Sequence, residues 1–336
     1  RAGIELSGGF SASVNADLAV GSVEETITVT GATPIVDVQS VRTQTVLRAE
    51  VMDALPSGQR DLSQLASLTL GAVSATAGRN DVGGDKSEQA TSVAIHGSRS
   101  DDARILYDGM NANNPGGALG GQSRLYKINT VMVAEQVIDT SGNTAESLTS
   151  GANVNMVPKE GANTFSLYGM ANYTSKDLAS GKVPADLIAR GSRPDQNSMK
   201  QVWDYGVGVG GPVRKDKAWF YGAGRWWGSQ AYAADNYFNK ATNFYTYVPD
   251  RDRPVYVNIQ QPDYGGRLTW QMTSKQKLSI EQHYERGVAH WQGIGATTAP
   301  EATISFDYRP IHFSQGTYSY PRTNRLLLQA GVSYLR

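Results

Sequence analysis

The stretch that decides the fold is Gly151–Tyr173, GANVNMVPKEGANTFSLYGMANY. Its first half is small and weakly apolar, with Gly151, Ala152, Val154, Met156 and Val157. A short polar turn follows at Pro158–Asn163. A strict alternation then begins. Phe165, Leu167, Gly169, Ala171 and Tyr173 fall on one face, and Thr164, Ser166, Tyr168, Met170 and Asn172 on the other. Period two marks a strand between two different environments. Ahead of this stretch the chain reads as a compact α+β domain. Beyond it, alternating strands and polar loops dominate.

Working backwards, Phe10–Leu18 alternates and reads as the last strand of a sandwich domain, 1–20. Glu24–Gly31, EETITVTG, is a threonine-rich extended segment between Gly21 and Gly31. It is an edge strand, or a segment donated to another protein's sheet by strand addition. Arg48–Leu55 reads as a helix stopped by Pro56 and Gly58, and Asp61 caps a second. Ser92–His96 and Arg104–Tyr107 read as short strands, the latter ended by a tight Asp108-Gly109 turn. With Val131–Ile138 they form a small mixed sheet ending near Gly161.

Working forwards, six segments are long enough to span a membrane as strands. They are Thr164–Tyr173, Gln201–Gly211, Lys217–Ser229, Asp263–Met272, Lys277–Arg286 and Arg325–Tyr334. Lys176–Met199, Ala231–Gln261 and Gly287–Thr323 read as long loops, whereas Arg214–Lys217 and Thr273–Lys275 are short turns. One rim with short turns and one with long loops is the asymmetry of an outer-membrane barrel. Both ends of the chain read as cut, which makes it a segment of something longer.

Composition narrows the function. The 336 residues carry 31 basic and 31 acidic side chains, so no basic field supports nucleic-acid binding. Cysteine is absent, which removes thiol catalysis, thiolate metal sites and disulfides. No run of 18 apolar residues predicts a transmembrane helix, although spanning strands need only about 9–11 alternating residues. His96, His283, His290 and His312 lack metal-ligand spacing, and no carboxylate pair, P-loop, dinucleotide motif or nucleophile elbow is found. No enzyme, metal or cofactor is expected. Trp219, Tyr221, Trp226 and Trp227 are expected in an interfacial aromatic girdle. Arg99, Asp101, Asp102, Arg104 and Asp108 form either a surface charge patch or a face set against the polar inside of a barrel.

Five blocks in order, EETITVTG, LPSGQRDLSQL, VAIHGSRSDDARILYDGMNAN, VMVAEQVIDTSGNTAE and SGANVNMVPKEGANTFSLYG, resemble the plug domain of TonB-dependent outer-membrane receptors. The likeness is closer to the Oar-like branch, in which a carboxypeptidase-regulatory-like sandwich domain, here represented by its tail, precedes the plug, and GPVRKDKAWFYG at Gly211–Gly222 fits the turn and strand that follow in that branch. The resemblance implies an α+β plug domain at 32–161, followed at 162–336 by the first part of an antiparallel transmembrane β-barrel of the 22-stranded type. It implies a TonB box at Glu24, Glu25, Thr26, Ile27, Thr28, Val29 and Thr30, within 21–31. It implies plug turns and plug–barrel contacts at Gly97, Arg99, Arg104, Asp108 and Gly109, with His96 where the family usually has arginine. Function would be energised transport of an unknown extracellular substrate across the bacterial outer membrane, with a TonB-type transducer and outer-membrane lipid as partners. The alternative is a surface adhesion or structural protein whose long loops bind a partner.

Overall fold

The computed structural model describes residues 43–55, 68–74, 93–99, 102–112, 126–141, 149, 151–179, 183–192, 198–243, 245–295 and 297–336. The TonB-box-like segment, the upstream domain and the second expected helix lie outside them.

The first part of the chain is a small mixed sheet. Its strands are β1 (Thr43–Arg48), β4 (Arg104–Tyr107), β5 (Met110–Asn111), β6 (Val133–Ser141) and β7 (Asn153–Pro158), in the order β1-β6-β7-β4-β5. β4 and β7 run parallel and the other pairs antiparallel. Helix α1 (Ala49–Ala54) follows β1 and buries Met52. β2 (Ala72–Ser74) and β3 (Val93–Ile95) make a separate two-stranded piece. Thus Ser92–His96 and Arg104–Tyr107 do not pair with each other. β7 buries every second residue, Val154, Met156 and Pro158. Val154 and Met156 pack with Ile105, Tyr107, Tyr126, Ile128, Val133 and Ile138 into one apolar core. Asp108 and Gly109 both have positive φ, 50° and 78°, and close the β4–β5 hairpin. Two left-handed residues match the twist of the flanking strands, and Asp-Gly tolerates them.

The second part is one antiparallel sheet of seven consecutive strands. These are β8 (Ser166–Ser175), β9 (Ser198–Arg214), β10 (Ala218–Asn239), β11 (Pro249–Gln271), β12 (Lys277–Gln292), β13 (Ile304–Thr323) and β14 (Leu326–Leu335). It is a curved wall with β8 and β14 at its edges. Seven strands stand where six were expected, because β13 occupies most of the supposed loop Gly287–Thr323. Pro310 and Pro321 hid it, since proline usually argues against a strand. Register shifts between Glu285 and Gly287, and between Pro321 and Thr323, let the strand carry both prolines. Ala231–Gln261 is also largely strand. β10 and β11 extend to Asn239 and start at Pro249, far beyond what a bilayer needs. Helix α2 (Ala185–Ala189) lies in the connection between β8 and β9.

Pairing registers assign every wall residue to a face. On the outer face of β11 stand Trp270, Leu268, Gly266, Tyr264, Pro262 and Gln260. On β9 stand Val209, Val207, Tyr205 and Trp203, and on β12 Leu278, Ile280, Gln282 and Tyr284. Leu167 and Tyr173 of β8 and Val332 and Tyr334 of β14 continue this face and are exposed. From Trp270 to Gln260 is about 33 Å along the strand, or about 25 Å of height at a 40° tilt, the thickness of an outer-membrane apolar band. Asp, Glu, Lys and Arg are absent from these outer-face residues, and the ion pair Arg286–Asp307 on that face stands at its upper margin, level with Pro262 and Gln260. Above the band a row of amides crosses the wall, with Gln201 bonded to Gln230 and Gln230 to Asn258, each at 3.1 Å. The aromatic girdle is only partly as expected. Trp226 faces out, within 6.1 Å of Trp203 and Tyr205 ring centroids. Tyr221 and Trp227 sit on the opposite parity and are buried on the inner face. Trp219 shares that parity and donates to Asn163 Oδ1.

Candidate functional site: the seam between inner domain and wall

The inner face of the wall is polar and charged. β11 contributes Asp263, Gly265, Arg267 and Thr269. β12 contributes Ser279, Glu281, His283 and Glu285, and β10 contributes Arg225. Alternation puts these side chains away from the apolar band, and the mixed sheet covers them. Asp263, His283 and Glu285 are fully buried. Buried charge is costly unless paired and hydrogen-bonded, and here the partners come from both sides of the seam.

Arg267 is the hub. Its guanidinium binds Glu281 of the neighbouring wall strand at 2.9 Å, Asp108 of the β4–β5 turn at 2.9 Å and Glu160 of the connecting segment at 3.4 Å. One wall arginine thereby ties together the inner domain, the linker and the wall. Tyr107 donates its hydroxyl to Glu281, and its carbonyl accepts from Gln315 Nε2 at 3.1 Å. Tyr126 Oη shares a 2.7 Å hydrogen bond with His283 Nδ1. His283 Nε2 faces Glu281 at 2.7 Å and Nδ1 faces Asp263 at 3.1 Å. Asn129 donates to Asp263 at 2.7 Å, and the Lys127 amide donates to Glu285 at 2.9 Å. Burial pushes the Tyr107 and Tyr126 phenols well above their ordinary range, and the nearby carboxylates add to this. Both stay protonated, able to donate across the seam.

Close approach depends on missing side chains. In Tyr205–Gly211, YGVGVGG, the valines face out and Gly206, Gly208 and Gly210 face in. A Cβ on Gly206 would lie 2.7 Å from Val131 Cγ2 of the inner domain. Gly265 lies beside His283, and a Cβ there would meet the ring at 2.3 Å. An apolar contact completes the seam. Phe313 of β13 stacks on Tyr126 at 4.8 Å and joins the inner core with Ile311.

The linker is held too. Glu160 accepts from Lys277 at 2.7 Å. Asn163 Oδ1 accepts from the Asp216 amide and Trp219 Nε1, both at 2.8 Å.

Of the residues named from sequence, Asp108 lies in the seam and Gly109 forms its turn, donating to Asn155 at 3.0 Å. Gly97 and Arg99 are exposed on the β3 turn. Arg104 is half-buried and donates to the Ala103 carbonyl. Neither arginine has an ion pair among the described residues. Glu24–Thr30 lie outside them. Arg267, Glu281, His283, Asp263, Glu285, Tyr126 and Asn129 were not singled out as a site. A signal existed in Lys277–Glu285, KLSIEQHYE, where the residues between the apolar ones are Ser, Glu, His and Glu. No group of three or more potential metal ligands is found among the described residues, and no described helix is long and apolar enough to cross a membrane.

No family model matches the chain. A curated relative, the TonB-dependent transporter Oar of Myxococcus xanthus, is 29% identical over 231 residues, covering 66% of this chain and 20% of its own length. Among solved structures, a variant of the ferric enterobactin receptor of Pseudomonas aeruginosa in complex with enterobactin superposes with TM-score 0.57 at 14% identity. That match covers 88% of this chain and 41% of the receptor. The outer membrane transporter YddB of Escherichia coli gives TM-score 0.58 at 14% identity, over 87% of this chain and 38% of its own. The chain therefore spans a fifth of its curated relative and about two fifths of these structures. The shared fold is a small α+β plug beside a β-barrel wall, here represented by seven strands.

Proposed function

We propose that this chain, a homologue of the TonB-dependent outer-membrane transporters in their Oar branch, is the gated portion of an active transporter. The observation that carries the reading is the seam. A folded domain closes the concave side of a membrane wall, and directional hydrogen bonds and ion pairs hold much of it there. Such bonds exchange readily for water once the domain shifts, whereas a wholly apolar seam resists separation. An adhesin that acts through its loops alone has no need of a closing domain.

In this reading Glu24–Thr30 is the handle. An extended segment pairs with a transducer's sheet edge through backbone bonds. Work delivered there strains the plug from its N-terminal side, where β1 is an edge strand with one neighbour. The opposite end is fixed, because the linker is bonded to Arg267, Lys277 and the β9–β10 turn. The plug is thus remodelled inside the wall rather than ejected. Substrate would enter from the long-loop rim.

This chain contains no cysteine, and any cysteine elsewhere in the full-length protein is first replaced by serine, so that single cysteines report cleanly. Cysteines placed one at a time at positions 24–30 of the full-length protein should form disulfides with cysteines in the pairing strand of a TonB C-terminal domain. Ile27→Pro should abolish this cross-linking. Absence of cross-links at every position, or cross-links indifferent to Ile27→Pro, would overturn the reading.

A further inference from the structure

The two rims differ in charge as well as in loop length. The long-loop rim is mixed, and several of its charges are paired. Arg190 lies beside Asp186, Arg253 beside Asp250, and Arg286 and Arg309 beside Asp307. The short-turn rim is basic. Its three hairpins carry Arg214, Lys215, Lys217, Lys275, Arg322 and Arg325 against one carboxylate, Asp216, which accepts from Asn163. None of the six cations has an ion pair among the described residues. Lys275 Nζ only donates to the Arg322 carbonyl, at 3.3 Å. A groove lies between adjacent hairpins. It is lined by the cations Lys275 and Arg325, the polar Thr323 and Asn324, and the leucines Leu326 and Leu327.

Short turns mark the periplasmic rim, so these cations stand at the level of the periplasmic leaflet's headgroups. Basic residues clustered at a membrane surface attract anionic lipid. The groove adds a form that fits one class of molecule, with cations for a phosphodiester and, on the outer face, Leu326 leading to Leu328 for the start of an acyl chain.

We propose that the groove between the β11–β12 and β13–β14 turns seats an anionic glycerophospholipid of the periplasmic leaflet. Its phosphate lies between Lys275 and Arg325, and its acyl chain runs along Leu326 and Leu328, which share the outer face of β14 with Val332 and Tyr334. The neighbouring turns, with Arg214, Lys215 and Lys217, extend the attraction along the rim. The lipid anchors the wall at a fixed depth while force acts on the plug.

The test uses the full-length protein in mild detergent, with phosphatidylglycerol or phosphatidylcholine added. Native mass spectrometry counts the lipid retained. The unaltered protein should retain phosphatidylglycerol in preference to phosphatidylcholine. Lys275→Gln/Arg325→Gln should lower retention at least tenfold, whereas Arg190→Gln/Arg251→Gln on the opposite rim should leave it unchanged. Millimolar inorganic phosphate should not displace the lipid. Should the double variant fold poorly, Lys275→Gln alone is compared by the immobilised fraction of spin-labelled phosphatidylglycerol in vesicles, which should fall. Equal retention in both double variants, no preference between the two lipids, displacement by phosphate, or an unchanged immobilised fraction would each overturn the proposal.

Discussion

Replacing Arg267 by glutamine tests the seam where it is most connected. Arg267→Gln removes the guanidinium of a side chain that is 5% exposed and bonded to Glu281, Asp108 and Glu160. The three carboxylates do not suffer equally. The side chains of Asp108 and Glu160 are 24% and 35% exposed and can rehydrate. Glu281 is 1% exposed and cannot. It keeps its bonds to Tyr107 and His283, which places the cost at the low end of the range for breaking a buried pair, about 3 kcal/mol. That makes separation of the plug turn from the wall roughly 100-fold more frequent. Hydrogen exchange of the full-length protein in lipid nanodiscs reads this directly. Amides of Arg104–Tyr107 should lose about two orders of magnitude of protection, while the wall strands keep theirs. Arg286→Gln is the control. Its partner Asp307 is on the outer face and both are partly exposed, so its loss should leave the protection of Arg104–Tyr107 unchanged. Unchanged protection at Arg104–Tyr107 in Arg267→Gln, or an equal loss in Arg286→Gln, would refute the reasoning.

Other expectations follow from the same geometry. Gly265→Ala drives a methyl into the His283 ring, which must leave Tyr126 or Asp263 at a cost of about 1.5–3 kcal/mol per hydrogen bond to a charged group. Combined with His283→Ala, its effect should be much less than additive by chemical denaturation. Tyr126→Phe removes one seam bond but keeps the stacking on Phe313, so it should raise exchange at 126–132 by roughly tenfold and leave β7 unchanged. Nitroxides at Leu268 and Thr269 should alternate, oxygen-accessible at 268 and shielded at 269. Equal accessibility would remove the two-faced wall.

Much of the fold was legible because alternation is written plainly where one face meets lipid. Leu278, Ile280, Gln282 and Tyr284, and Leu328 to Tyr334, needed nothing beyond period two. The β4–β5 turn was legible because Asp108-Gly109 has few alternatives to a left-handed pair. β13 was not, because Pro310 is tolerated only through a bulge that sequence does not announce. Trp227 and Tyr221 were misplaced because aromatic composition alone does not give parity. Along β10 they share a face with Arg225, which is buried and bonded to Asp204 at 2.8 Å. The site was the least legible part. Each seam residue is ordinary by itself, and Tyr107, Tyr126 and Asn129 meet Glu281, His283 and Asp263 only through contacts more than 130 residues apart in sequence.

The measurement that bears most directly on the central claim is a pull on the locked and unlocked plug. Val131→Cys/Gly206→Cys places two sulfurs where the Gly206 Cβ would lie 2.7 Å from Val131 Cγ2, so the two Cβ atoms fall within about 4.5 Å, the range a disulfide requires. The full-length variant in a lipid bilayer is pulled through a tip carrying a TonB C-terminal domain that captures Glu24–Thr30. When the cysteines are reduced, extension should run to the linker clamp near Glu160. When they are oxidised it should stop at position 131, shorter by about 100 Å at some 3.4 Å per residue. Equal extension in both states, or failure of the tip to capture the segment, would contradict the account.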